Sequence, residues 1–254
     1  MKITFLGTGT SCGVPVIGCQ CEVCQSTDPK DKRMRCSILV ETEATRLLVD
    51  CGPDFRMQIL PQSFRKIDGI LITHSHYDHI GGLDDIRPYC QFGEMNVYAD
   101  GISRQNMLQM LPYCFAEHRY PGVPAIRLHE IKAGEAMKIG DIDILSIQVM
   151  HGKLPILGYR FGKFAYITDM KTIEPDQADL LKGVEVLADN ALRFDRPHHS
   201  HQLVDDAIAF AHSVGAQQTF LIHMCHDVGL HEEVNRHLPD DVRLAYDGQI
   251  LNIV

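Results

Sequence analysis

Thr73-His74-Ser75-His76-Tyr77-Asp78-His79 puts four potential metal ligands into six positions, directly after the apolar run Ile70-Leu71-Ile72. That run reads as a short buried strand, and Gly81-Gly82 breaks the pattern behind it. The ligands therefore fall on a loop at a strand end, where a rigid sheet can aim them. His74 and His76, two apart, can point into one pocket. Asp78 and His79 follow at once and can face a second metal beside the first. Neutral imidazole suits zinc, iron or manganese, and a carboxylate adds a harder oxygen ligand. One histidine in such a loop is by default merely solvated. Three histidines and an aspartate in one window are not.

The string matches the HxHxDH signature of the metallo-β-lactamase superfamily. The rest of the chain is compatible with the α/β layers such a loop needs. Strand candidates are Ile3–Gly7, Ser37–Glu41, Arg46–Asp50, Gly69–Thr73, Asn96–Ala99, Ala125–Glu130 and Ile142–Met150. Gly158–Phe161, Phe164–Thr168, Glu185–Asp189, Thr219–His223, Val242–Ala245 and Ile250–Val254 continue the series. Helix candidates are Pro53–Leu60, Leu83–Cys90, Ile102–Leu111, Pro175–Leu181, His201–Val214 and Leu230–Leu238. In His201–Val214 the apolar residues Val204, Ala207, Ile208, Ala211 and Val214 fall at helical spacing, and Ser200 is a plausible N-cap. No repeat or long linker divides the chain, so one domain over residues 1–254 is expected.

Composition excludes several classes of function. The net charge is −9, from 24 basic against 33 acidic residues, which opposes a broad nucleic-acid footprint but not a small anionic substrate. No apolar run approaches a membrane span. The opening Met1-Lys2-Ile3-Thr4-Phe5-Leu6-Gly7 reads as a first strand rather than an export signal. With nine cysteines and no such signal, a reducing, cytoplasmic location is expected, and metal ligation or burial rather than a disulfide framework.

Single polar residues end later apolar strands: His151 after Ile142–Met150, Asp169 after Phe164–Thr168, and His223 in Thr219–His223. Open α/β sheets bind ligands at such ends. The order HxHxDH, His, Asp, His resembles the full dinuclear metallo-β-lactamase pattern. The resemblance implies a four-layer αββα sandwich. It also implies that His74, His76 and His151 hold one metal, that Asp78, His79 and His223 hold another, and that Asp169 bridges them. Two divalent ions, Zn²⁺ or Mn²⁺ with Fe also suited, are then expected. Zinc lactamases commonly carry Cys near the bridging position, whereas Met170 follows Asp169 here. Phosphodiester or thioester cleavage fits better than antibiotic hydrolysis.

Gly18-Cys19-Gln20-Cys21-Glu22-Val23-Cys24 is a CxCxxC cluster within a loop spanning roughly residues 12–35. Three thiolates need a fourth ligand to close a tetrahedral zinc site. His226 is the candidate and Cys225 its competitor. A structural Zn²⁺ there would pin a loop without a core of its own. Cys12, Cys36, Cys51, Cys90 and Cys114 lack ligand spacing and read as small buried apolar residues.

The two constellations together resemble one branch of the superfamily, the phosphoribosyl cyclic phosphate phosphodiesterases of the carbon–phosphorus lyase pathway. The match extends to His151-Gly152-Lys153-Leu154 and to His201, which lies 22 residues before His223. By that resemblance His201 is the catalytic histidine, contacting the scissile phosphate or protonating the leaving oxygen, and a homodimer is expected. His198-His199-Ser200 has no trusted equivalent. At the start of a helix, His201 would also have backbone N–H groups beside it that favour phosphate. Asp78 joins His201 as a catalytic candidate. Lys153 is a candidate substrate contact through its point charge. Arg160, Arg193 and Arg196 are weaker candidates.

The expected reaction is hydrolysis of a small, cyclic phosphodiester by a metal-bridging hydroxide, with no stable nucleic-acid partner and no membrane. The rivals are a tRNA 3′-processing endoribonuclease, a glyoxalase II-type thioesterase, a relative of the pyrroloquinoline quinone pathway, and a non-catalytic metal-binding module. The nuclease normally needs a long basic arm, and none is visible here. The cysteine loop speaks against the thioesterase. The module predicts missing ligands, whereas all seven positions are filled.

Overall fold

The computed structural model describes residues 1–118 and 120–254. Its strands begin with β1 (Lys2–Gly7), β2 (Ser37–Glu41), β3 (Arg46–Val49), β4 (Gly69–Leu71), β5 (Met95–Ala99) and β6 (Ile126–Glu130). They continue with β7 (Ala136–Ile139), β8 (Ile142–His151), β9 (Leu154–Phe161), β10 (Phe164–Ile167), β11 (Val186–Asn190), β12 (Gln218–Ile222), β13 (Val242–Leu244) and β14 (Ile250–Asn252). Two seven-stranded sheets result, ordered β14-β1-β2-β3-β4-β5-β6 and β13-β12-β11-β10-β9-β8-β7. The helices are α1 (Glu22–Gln25), α2 (Phe55–Ile59), α3 (Tyr77–Ile80), α4 (Gly101–Met110), α5 (Pro175–Asp179), α6 (Val204–Val214) and α7 (His231–Asn235).

Side-chain alternation explains the layers. In β3, Leu47 and Val49 enter the core between the sheets, while Leu48 faces outward against Phe55 of α2 and Met107 of α4. In β2, Ile38 and Val40 face inward and Leu39 outward. Strands covered on both faces read as continuous apolar runs rather than alternating ones. The second sheet repeats the scheme. Tyr159, Phe164 and Tyr166 meet the first sheet, and Ala165 and Ile167 pack outward with Ala211 and Val214 of α6. The order is helix, sheet, sheet, helix, the four-layer αββα sandwich of the metallo-β-lactamase fold.

In both sheets the strands nearest the candidate ligands run parallel: β3 to β6 in one, β10 to β13 in the other. Their carboxyl ends meet at one edge of the sandwich. There Leu157 N–H donates to the Thr73 carbonyl at 2.9 Å, and the Tyr159 hydroxyl to the Ile72 carbonyl at 2.6 Å. The second sheet thereby clamps the histidine-rich loop of the first.

Some elements differ from the sequence expectation. β7 was not expected, because four residues between two glycine turns give too short a pattern. β9 begins at Leu154, not Gly158, running through Pro155 as the long partner of β8. Leu83–Phe92 is a 3₁₀ helix, with Pro88 inside it unable to donate an α-helical hydrogen bond. The helix expected from His201 starts at Val204, with Leu203 and not Ser200 at its N-cap. Residues 200–203 are instead held by other partners: Gln202 N–H donates to the Met170 carbonyl, and Leu192 N–H to the Gln202 carbonyl. His201 therefore precedes the helix, and phosphate binding at a helix N-terminus is no longer part of its case. No helix among the described residues is long and apolar enough to cross a membrane.

Candidate active site

The loop after β4 carries His74 and His76, and α3 carries Asp78 and His79. His151 is the last residue of β8, Asp169 lies two residues past β10, and His223 directly follows β12. One nitrogen from each of His74, His76 and His151 lies within 4.8 Å of the others. The same limit holds for ligand atoms of Asp78, His79, Asp169 and His223. Asp169 also lies within that distance of His151 and His201, which places its carboxylate between the two groups.

Asp169 and His223 both adopt left-handed backbone, φ 56°, and so does Asp50 at 60°. Such strain in non-glycine residues persists where the surroundings over-determine it, and it clusters at functional sites. Each of the three follows a strand end, so the turn aims its side chain across the sheet edge.

The electrostatics fit a divalent cation. Burial opposes charge on His79, but the carboxylates of Asp50, Asp169 and Asp78 outweigh it and hold its pKa well above the ordinary histidine range. For His223, burial is again outweighed, by Asp169 and Asp78, and its pKa rises to about 9. Asp169 is held well below the usual carboxylate range, its burial overcome by His223 and His79. Asp78 is lowered for the same reason, with His79 and His223 overcoming burial. Burial dominates at His74, pushing its pKa well down. A neutral imidazole is the form that binds a metal.

The test of fit lies in buried nitrogens. His79 Nε2 is 3.3 Å from both Asp78 and Asp169, and His223 Nε2 is 3.0 Å from Asp169. Yet neither nitrogen makes a hydrogen bond. Buried polar atoms are normally satisfied. Lone pairs converging without bonding one another suit a common ion at their centre.

Ring orientation comes from outer partners. Asp50 Oδ2 accepts from His79 Nδ1 at 2.7 Å, and the same carboxylate accepts from Thr73 N–H and Oγ1. His151 Nδ1 donates to the carbonyls of Asp169 and Ser200 at 2.8 and 3.0 Å. Each arrangement leaves Nε2 for a metal. The sequence reading missed Asp50. Its only signal was an aspartate after the apolar run Leu47-Leu48-Val49.

Gly52 is a second residue that was missed. A Cβ there would overlap the Asp78 carbonyl oxygen. The close approach lets Cys51 N–H reach the His79 carbonyl at 2.7 Å. Gly52→Ala is expected to cost at least the roughly 1–3 kcal/mol of overpacking, and to lower metal content as well as the melting temperature. Unchanged values for both in calorimetry and elemental analysis would contradict this role.

His201 is 7% exposed and its ring centroid is 4.7 Å from both His151 and His223. Burial pushes its pKa down to about 2. An anionic diester beside the ring adds an opposite charge that favours its proton. Lys153 is exposed on the turn between β8 and β9 and forms no ion pair among the described residues. Arg160 is tied to the carbonyls of Gly162, Leu180 and Lys182, and Arg193 to those of Asp195 and Arg196. Arg196 pairs with Asp227. These arginines fasten loops rather than reach the cluster.

Cys19, Cys21, Cys24 and His226 bring one ligand atom each within 4.8 Å of the rest. Sγ of Cys21 and of Cys19 lie 3.1 and 3.4 Å from His226 Nδ1. Tetrahedral zinc–thiolate geometry requires sulfurs about 3.8 Å apart, compatible with this cluster. Hydrogen bonding to His226 lowers the Cys21 thiol to about 6, while burial raises Cys24 to about 11. Cys225 is buried and faces Asp227 instead. Cys36, Cys51 and Cys114 are buried as expected, but Cys12 is exposed in the loop after β1 and Cys90 is half-buried on the 3₁₀ helix, where its Sγ accepts from Ala125 N–H at 3.3 Å. Cys21→Ser is expected to release one zinc while leaving the histidine cluster filled. Elemental analysis of reduced protein checks this, and loss of all metal would contradict it.

The sequence model of the beta-lactamase superfamily domain matches residues 45–224, which include every residue of the histidine–aspartate cluster. A crystal structure of a diphosphatase from the PhnP family is similar, at 38% identity and a TM-score of 0.91, covering 98% of this chain and 96% of that one. An octanoyltransferase of Porphyromonas gingivalis is 42% identical over 249 residues, 98% of this chain but 51% of that protein. A ribonuclease Z of Archaeoglobus fulgidus is 31% identical over 176 residues, 64% of this chain and 50% of that protein. The chain spans about half the length of these curated relatives. Fold, ligand placement and sequence agree: the chain belongs to the beta-lactamase superfamily and, within it, to the PhnP family.

Proposed function

We propose that this chain is a dinuclear metal-dependent hydrolase of small phosphodiesters, cyclic ones above all. The carrying observation is the convergence of seven candidate ligands on one sheet edge, with His201 packed against them. The similar diphosphatase supports the reading. Hydrolysis of a diphosphate, like that of a diester, attacks phosphorus and expels an oxyanion.

In this reading His74, His76 and His151 would hold one ion and Asp78, His79 and His223 the other, with Asp169 available to both. Divalent cations bound there, Zn²⁺, Mn²⁺ or Fe, supply Lewis acidity and an activated water. Asp50 and the carbonyl partners of His151 keep the ligand rings aimed. His201 gives a proton to the leaving oxygen, a service typically worth 10²–10⁴-fold. Lys153 neutralises charge on the substrate from the hairpin turn. The Cys19, Cys21, Cys24 and His226 cluster would hold a structural Zn²⁺, pinning residues 12–35 to the segment behind His223.

We take residues 1–254 as one domain acting in the cytoplasm, a setting that suits nine cysteines with no disulfide among the described residues. The family likeness adds the expectation of a homodimer. Similarity to a ribonuclease Z supports a second reading, endoribonuclease activity on precursor tRNA. The acidic net charge of −9 weighs against it.

A competitive assay decides between them. Cyclic nucleotides, cyclic sugar phosphates and bis-aryl phosphates are expected to be hydrolysed, and precursor tRNA and β-lactams to be poor substrates. Efficient cleavage of precursor tRNA with cyclic diesters untouched would replace the first reading by the second.

A further inference from the structure

His201 Nδ1 is buried and has no hydrogen-bond partner. Asp169 Oδ1 lies 3.9 Å from it, beyond hydrogen-bond reach, so no hydrogen bond at that atom fixes how the ring is turned, and rotation about the terminal torsion of histidine is broad. Other rings surround it instead. His223 lies 4.7 Å away with 30° between planes, His198 lies 4.8 Å away at 24°, and His151 lies 4.7 Å away at 49°. His151 and His223 belong to the metal-ligand groups. His198 belongs to none among the described residues.

The ring of His198 is itself locked. Ser200 N–H donates to His198 Nδ1 at 3.4 Å, and Ser200 Oγ lies 3.2 Å from the same nitrogen. The Ser200 carbonyl accepts from His151 Nδ1 at 3.0 Å. Gly152, at φ 62°, turns the β8–β9 hairpin directly under Ser200, where an added Cβ would meet the serine Cβ at 3.4 Å. Ser200 thus ties the His198 ring to the strand end that carries His151. The preceding loop is fastened separately by Arg193 on the carbonyls of Asp195 and Arg196, and by Arg196 on Asp227. Two independent anchors make His198 a fixed wall beside a ring whose Nδ1 makes no hydrogen bond.

We infer that His198 is a positioning residue for His201: stacked on it and locked through Ser200, it holds the imidazole in line with the departing oxygen. The inference rests on the proton-donor role of His201 proposed above. In that step the P–O bond to the leaving group breaks with its electron pair on oxygen. That oxygen takes the proton from a His201 nitrogen. The incoming oxygen comes from water, whose released proton restores the ring. His198 is in none of the candidate ligand groups among the described residues. Its contribution is orientation, which matters because proton transfer needs the donor within about 2.6–3.2 Å of its target.

Leaving groups separate this role from a merely structural one. A 2′,3′-cyclic nucleotide expels an alkoxide, which needs a proton, whereas bis(p-nitrophenyl) phosphate expels a stable phenolate. With the metal-loaded protein, His198→Ala is expected to lower kcat on the cyclic nucleotide about tenfold, a part of the 10²–10⁴ that a general acid supplies. KM and metal content should hold, and the loss on the aryl diester should stay below about twofold, since little of that acid term applies to it. His198→Phe, which keeps a flat ring in the stack, should recover most of kcat. In a His201→Ala background, His198→Ala should cost nothing more, because residues acting through one group are not additive. Should His198→Ala fail to fold, His198→Gln, which fills the volume without a ring, is compared with His198→Phe instead. Equal losses on both substrates, additive losses in the double variant, or Phe no better than Ala or Gln would overturn the inference. If His201→Ala itself shows no preference between leaving groups, the proton-donor reading fails and takes this inference with it. If His201→Ala shows the preference and His198→Ala does not, only this inference fails.

Discussion

Asp169→Ala is expected to empty the histidine cluster of metal and abolish hydrolysis. The carboxylate of Asp169 lies 3.0 Å from His223 and 3.3 Å from His79, and within ligand distance of His151. It belongs to the group of Asp78, His79 and His223 and also approaches His151 of the other group. Losing an outer partner of a ligand typically costs 10–100-fold in affinity or activity, so losing a direct ligand should exceed that range. Asp169→Asn is the control for backbone strain. Position 169 sits at φ 56°, which asparagine tolerates better than alanine. Both variants should lose metal if the charge is what matters. Metal retained by the asparagine variant alone would assign the alanine effect to the backbone.

His201→Ala is expected to behave in the opposite way, keeping its metals while kcat falls by about 10²–10⁴, the usual worth of a positioned acid. The geometry makes this a real test, because His201 also lies within ligand distance of His151 and Asp169. A variant that loses metal in elemental analysis would make His201 a ligand rather than a proton donor.

The candidate ligands were legible in sequence because their signals are local. HxHxDH sits in one loop, CxCxxC in another, and His151, Asp169 and His223 each mark the end of an apolar run that is itself a strand signal. Asp50 was not legible, because its importance lies in a contact to His79, 29 residues away. Gly52 was invisible for a similar reason: what requires a glycine is the backbone of Asp78 folding onto it. Ser200 misled because serine before an apolar helix is the usual N-cap signal. In the structure its polar atoms serve His198 and His151, and the helix begins beyond them. The role of His198 emerges only when four rings from three segments are seen together. Local patterns thus located the candidate ligands, while the residues that orient them depend on tertiary contacts.

The central claim is tested most directly by titrating chelated, zinc-loop-intact protein with Mn²⁺ or Zn²⁺ while following bis(p-nitrophenyl) phosphate hydrolysis. Activity should be absent at the start and rise to a break at two added ions per chain. A break at one ion, or hydrolysis that survives chelation unchanged, would contradict a dinuclear site.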